Sequence, residues 1–254
     1  MEQHLFSTFA QVIQHNDFSG PDERLLLDRD GPISIYYAPF DHTNTAARIV
    51  LAGITPGKTQ MVNALREAHR QLRMGIDPSK ALRMAKQTAS FSGAMRSNLI
   101  NLLDCVGVSK WLGLKTCGHL FTGSADKLQT TSVLRYPVFI NGENYNGTPN
   151  MLRHRLLRKY LLEHFAAEAA MLKSALFIPL GPVVTEALQF LASEGILDKE
   201  RVLDGLPHPS GANAERIAYF LGTKAKERLS AKTDAGKLDS ARSLLRARIS
   251  ALPA

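Results

Sequence analysis

The chain has 254 residues, 44% of them apolar, and its 31 basic and 23 acidic side chains give a formal charge of +8 and a pI near 9.6. That apolar share sustains one sizeable core and excludes a disordered chain, which lacks the apolar residues to offset its ordering entropy. Only Cys105 and Cys117 carry thiols; this excludes a disulfide scaffold, or a four-cysteine zinc or iron–sulfur site from this chain alone, and fits a reducing compartment.

No run of ~18 apolar residues marks a membrane span. The opening stretch MEQHLFSTFAQVIQHND is amphipathic and carries acids instead of the basic start and apolar run of a signal peptide. A soluble, cytoplasmic protein with no membrane partner is expected. ISIYYAP (Ile33 to Pro39) and RIVLAG (Arg48 to Gly53) read as strands, rich in β-branched and aromatic residues. A helical pattern follows from Gln60 to Lys86, with a break near Gly75 and Pro78. TTSVLRYPVFI (Thr131 to Ile140) contains another strand, then the polar loop NGENYNGTP and a helix from about Asn150 to Lys173. ALFIPLG (Ala175 to Gly181) reads as a buried strand, and Pro182 suits the first turn of the next helix. RVLDGLPHPSG (Arg201 to Gly211) is a last short strand and turn, with Asn213 placed to cap a helix.

Strands alternating with helices predict parallel pairing with helices on both faces. The expected fold is a three-layer α/β/α sandwich around a central, mainly parallel sheet of about four strands. It spans residues 1–230, and 231–254 form a basic helical extension. Ligands bind such sheets at the carboxyl ends of the strands, so the loops after RIVLA, SVLRYPVF, ALFIPL and RVLDG are expected around one cleft.

The charge is unevenly placed. From Gly222 to Ala254 there are eight basic residues and three acids, +5 of the total +8. A second basic cluster runs through Arg153, His154, Arg155, Arg158 and Lys159. Such patches attract nucleic acid by releasing condensed counterions, although a solvated helical face has the same composition.

One loop has two readings. AGITPGKT (Ala52 to Thr59) fits a relaxed phosphate-binding loop, which would make the chain a nucleotide-binding enzyme. Against this, Pro56 removes one N–H from the cradle, and Asp204 after RVL is the only acid at a strand end for magnesium. The other reading takes GITPG together with SFSGAMRSNLINLLDCVGV, a strand entering LRYPVF, the segment ALFIPLGPVVTEAL and finally LPHPSGAN. In that order the segments resemble the uracil-DNA glycosylase superfamily, over roughly Ile33 to Gly222.

The resemblance implies hydrolysis of the N-glycosidic bond of a base flipped out of DNA, with no cofactor and no metal. His208, between Pro207 and Pro209, would donate a hydrogen bond to O2 of the departing pyrimidine; a donor of this kind is worth about 3 kcal/mol. Ser210, Gly211, Ala212, Asn213 and Pro56 would hold the DNA phosphates. Phe91 would stack on the base, Ile54 would lie beside it, and Gly93 would permit close helix approach. Thr55 stands where relatives carry an aspartate or asparagine for the water, so Asp41 or Glu143 would have to supply a carboxylate. Gly57 replaces the tyrosine that walls off C5 in uracil-restricted relatives. Ser132, or Thr131, stands where many relatives have a base-reading asparagine. Asn141, Glu143, Asn144 and Tyr145 of the polar loop are candidates for contacts to a base substituent. After the histidine motif, Ala212, Asn213 and Arg216 offer no apolar wedge to fill the gap in the duplex.

Loss of the wall, the amide and the carboxylate points to a 5-substituted pyrimidine, such as a hypermodified phage cytosine, with uracil as the other substrate. A hypermodified substrate implies a role in defence against phage. A third class, a DNA-binding module on the same fold without chemistry, has the same charge and motifs.

Overall fold

The computed structural model describes residues 2–91 and 93–253, and side chains from residue 5 onward. Its elements in order are α1 (Glu2–His15), β1 (Leu26–Asp30), β2 (Ile33–Tyr36), β3 (Ile49–Gly53), α2 (Lys58–Arg73), α3 (Pro78–Ala89), α4 (Ala94–Cys105) and α5 (Val108–Trp111). There follow β4 (Leu128–Ser132), β5 (Val138–Ile140), β6 (Glu143–Asn144), α6 (Arg155–Tyr160), a π-helical segment (Leu161–Ala166), α7 (Ala167–Met171), β7 (Leu176–Pro179), α8 (Pro182–Ser193), α9 (Ala214–Phe220) and α10 (Ala235–Ser250). The fold is mixed α/β with two sheets: an antiparallel one of order β1–β2–β5–β6 and a parallel one of order β4–β3–β7.

The chain divides into two units. The first holds residues 1–45, 53–90 and 130–172; the second holds 46–52, 91–129 and 173–254. In the first unit the antiparallel sheet is accompanied by the packed helices α1, α2 and α3. The break expected near Gly75 is present: α2 ends at Arg73, and Asp77 caps α3 through Ser79 and Lys80, with Pro78 in its first turn.

In the second unit, β3 and β7 pair in parallel from Ile49↔Leu176 to Ala52↔Pro179, and every residue of both strands is buried. Continuous apolar runs are what a sheet covered on both faces requires. The core here joins these strands to α4, α9 and α10, with Leu99, Leu103, Phe220 and Leu245 all buried. Thus α10 contributes two core side chains, Leu245 and Ile249.

Three sequence expectations change. ISIYYAP forms β2, but in the antiparallel sheet: the Asp30–Pro32 turn, with Gly31 at φ +55°, joins it directly to β1 and leaves no room for a crossover helix. TTSVLRYPVFI is two strands of different sheets, β4 and β5, because Pro137 lacks the N–H that would continue the ladder. The 201–211 strand shrinks to a single parallel bridge, Phe177↔Val202.

Candidate functional site

The glycine–proline loop after β3 belongs to the first unit and is fastened to the segment after β4. Val133 N–H donates to the Gly53 carbonyl and Leu134 N–H to the Ile54 carbonyl, each at 2.9 Å. The Thr55 hydroxyl donates to the Tyr136 carbonyl at 2.9 Å and accepts from Val138 N–H at 3.1 Å. Its only proton is therefore committed, and Thr55 acts as a stitch between two loops.

Asp41 is wholly buried and accepts hydrogen bonds from the phenols of Tyr37, at 2.7 Å, and Tyr136. Burial raises its pKa, while the two phenols and Arg135 oppose the shift. A second buried set lies next to it in sequence. Arg135 donates to Glu168 Oε2 at 2.9 Å and to the His164 carbonyl at 3.1 Å, and the Thr131 hydroxyl donates to the same Glu168 oxygen at 2.9 Å. Lys86 lies 3.9 Å from the other oxygen of Glu168 and donates to the His42 carbonyl at 2.5 Å. Burial pushes both His42 and His164 down to about 4, with nearby cations adding to the effect, so both are neutral at pH 7. None of this network apart from Asp41 and Thr131 was singled out from the sequence; Arg135, a charge inside the apolar run SVLRYPVF, was the available signal.

Asn144 lies on β6, and its Oδ1 accepts from Lys58 N–H at 2.8 Å, capping α2. A Cβ added at Gly57 would lie 3.4–3.5 Å from the Asn144 amide, so Asn144 occupies the space a larger residue at 57 would need. The Gly57 N–H is taken by the Gln60 side chain at 3.2 Å. The two N–H groups that would begin a phosphate cradle thus have acceptors, and the Lys58 side chain lies against Gly20, where an added Cβ would meet its Cε at 2.9 Å. These contacts count against the nucleotide-binding reading. Thr55, Gly57 and Asn144 are brought together; Asp41 is linked to them through Tyr136. Glu143 is exposed, and Ser132 and Ile54 are half-buried.

The remaining candidates lie in the second unit. His208 is half-buried, and Gly181, at the start of α8, lies beside it: an added Cβ there would be 3.6 Å from His208 Cδ2. Ser210 N–H donates to His208 Nδ1 at 3.3 Å. Nδ1 is therefore the acceptor and Nε2 carries the proton, a donor with no partner among the described residues. Burial lowers the His208 pKa, which keeps the ring neutral. The turn is braced by Asn98, whose amide donates to the Pro209 carbonyl at 2.9 Å. Asn213 stands at the N-cap of α9 but makes no capping bond with its side chain; its amide donates to Ser210 Oγ at 3.2 Å, and its Oδ1 accepts from Arg216 at 2.8 Å. Gly211 and Ala212 are exposed.

Phe91 is buried in the core of the second unit with φ at +47°, a left-handed backbone that a bulky residue adopts only under strain. Gly93 has open space around its missing Cβ; it is needed for its φ of +72° and not for a close helix approach. The basic tail is less free than its charge suggests. Arg242 donates to the Phe220 carbonyl at 2.9 Å, Arg246 to the Cys105 carbonyl at 2.9 Å and Arg248 to the Val202 carbonyl at 2.9 Å. Three of the eight tail cations thus close off carbonyls, and Lys226, Arg228, Lys232 and Lys237 have no hydrogen-bonded acid.

The chain is 38% identical over 206 residues to the uncharacterized protein YoxB of Bacillus subtilis (strain 168), an alignment that covers 80% of each chain. The chain belongs to the YoxB family. No family model matches it, and no solved structure matches it. As a YoxB-family member its described residues include no helix long and apolar enough to cross a membrane, and no group of three or more His, Cys, Asp or Glu placed to hold a metal ion.

Proposed function

We propose that this YoxB-family protein is a monofunctional DNA glycosylase that removes a modified or deaminated pyrimidine from DNA. The observation that carries the reading is His208: a neutral imidazole whose Nδ1 is held by Ser210 N–H, leaving Nε2–H as a fixed donor. When the C1′–N1 bond of a pyrimidine nucleotide breaks, its electron pair passes to the base and charge gathers at O2. A neutral, preorganised N–H donor stabilises that anion without itself losing a proton. Water then adds to C1′ and releases a proton, leaving an abasic site.

The strand arrangement supports the reading. GITPG, SVLRYP and PLGP follow the carboxyl ends of β3, β4 and β7, and LPHPSG follows the bridge at Val202, which adds a fourth parallel position beside β7. In this proposal the fold is the three-layer sandwich, Phe91 stacks on the base, and its strained backbone reflects that role. Ser210, oriented by Asn213 and Arg216, contacts a phosphate, together with the N–H groups of Gly211 and Ala212. Thr55 positions a loop instead of a water, and Asp41 is too deeply buried for a base that meets bulk water. Catalysis therefore rests on stabilising the leaving group. Asn144 stands against Gly57 in place of a tyrosine wall and contacts the 5-position substituent, consistent with a hypermodified cytosine and a role in phage defence.

Duplexes carrying uracil, 5-hydroxymethyluracil, 5-hydroxymethylcytosine or glucosylated 5-hydroxymethylcytosine test this, with alkali to reveal abasic sites. Strand breaks that disappear in His208→Ala are expected. No release from any of these bases, with DNA retained, would move the function to a non-catalytic module that binds modified DNA.

A further inference from the structure

In the second unit the C-terminal end of α4, α5 and α10 surround a cavity of about 420 Å³, a size typical of small-molecule sites. Four apolar side chains line it: Val106, Trp111, Ile249 and Leu252. Two cations, Lys110 and Arg246, line it as well. The only acid in the lining, Asp104, is already engaged: its carboxylate accepts from the Thr116 hydroxyl at 2.6 Å and from Cys117 N–H at 2.7 Å.

Neither cation has an acid partner among the described residues. Arg246 donates Nε–H to the Cys105 carbonyl at 2.9 Å and Nη2–H to the Cys105 sulfur at 3.4 Å, both neutral acceptors. The Trp111 N–H donates to the Pro253 carbonyl at 2.9 Å, so the indole offers the cavity its ring and not its donor. The arrangement is asymmetric: apolar walls with a flat aromatic surface, and positive charge not neutralised by any carboxylate. A neutral apolar ligand leaves that charge uncompensated, and a bare inorganic anion leaves the walls wet.

We infer that this cavity is a binding site for a small monocarboxylate with an apolar, ring-sized body. The carboxylate meets Lys110 and Arg246, and the ring lies against Trp111 and Ile249. The site does not depend on the glycosylase reading, since none of its residues belongs to the proposed chemistry.

Trp111 is the single tryptophan of the chain, so its fluorescence reports on this cavity alone. Titration with 3-phenylpropionate is expected to change the emission saturably. Neutral 3-phenylpropanol and acetate, which lack the charge and the ring respectively, bind at least about tenfold more weakly. Lys110→Met weakens 3-phenylpropionate about tenfold and leaves the thermal midpoint unchanged, because Lys110 is exposed and holds no other group. Cys105 is half-buried at the same wall, and its alkylation by iodoacetamide slows in step with occupancy. Equal binding of the alcohol and the acid, full affinity in Lys110→Met, or the absence of both a saturable change and Cys105 protection overturns the inference.

Discussion

Replacing Asp41 separates a structural carboxylate from a catalytic one. Its side chain is the hydrogen-bond acceptor for two buried phenols, Tyr37 and Tyr136. In Asp41→Ala both hydroxyls lose their acceptor in a site without water. Each buried donor left unsatisfied costs about 1–3 kcal/mol, so a loss of about 4 kcal/mol is expected. That is a large part of the ~5–15 kcal/mol that holds a domain folded. Asp41→Asn keeps an acceptor oxygen in place and removes a buried charge, so its loss should be near 1 kcal/mol. With a urea slope of ~2 kcal/mol/M, the midpoint falls by about 2 M for alanine and about 0.5 M for asparagine, read by circular dichroism. The pH dependence has a definite sign. Burial raises the Asp41 pKa in the folded protein, so its contribution is greatest below the unfolded value and declines as pH rises through the folded value. Asp41→Asn should therefore gain on the native protein as pH rises. An asparagine variant as unstable as the alanine variant would refute this reasoning. So would a stable asparagine variant that had lost base release about a hundredfold, since that pattern belongs to a catalytic base.

Three further predictions concern separate parts of the molecule. His208→Ala should lower base release by about 10²–10³-fold in a single-turnover assay; because burial lowers the His208 pKa, its contribution to stability is present above the unfolded pKa and is lost as pH falls through the folded one, measurable by NMR titration of the ring. Arg242→Met should cost about 1–2 kcal/mol in thermal unfolding, because the Phe220 carbonyl at the end of α9 loses its donor, whereas Lys237→Met should leave stability unchanged and weaken DNA retention in a salt-dependent way. Asn144→Ala should destabilise by about 1 kcal/mol through the lost cap on α2, and Lys58→Ala should leave base release intact, against the outcome for a nucleotide-binding loop.

The sequence was most legible where one physical cause dominated. IVLAG and LFIP are buried on both faces, so they had to be continuous apolar runs, and they form the parallel pair. Pro78 and Pro182 marked helix starts because proline loses nothing there. By contrast, β1 reads LLDRD: an edge strand with charges on its solvent side, which no apolar run betrays. The link from Arg135 to Glu168 spans 33 residues and depends on tertiary packing, so only the anomaly of a charge in an apolar run was visible. Charge counting failed differently at the tail. Net charge takes no account of direction, and Arg242, Arg246 and Arg248 turn inward to carbonyl groups. At the candidate site, the motifs pointed to His208 and Thr55, yet only coordinates distinguish a hydroxyl that is free to bind water from one already committed on both sides.

The π-helical segment from Leu161 to Ala166 has a consequence for how this chain can vary. A π turn holds one residue more than the α turn it replaces, the signature of a single insertion into an older helix. His164, whose carbonyl accepts from Arg135, lies inside that segment, and Glu168 lies just beyond it. Removing one residue there would restore a regular helix, and everything after it would rotate by about 100°. Glu168 would then turn away from Arg135 and Thr131, leaving two buried cations without their carboxylate. Single-residue deletions between 161 and 166 should therefore be absent among functional descendants of this sequence, although the helix itself would tolerate them.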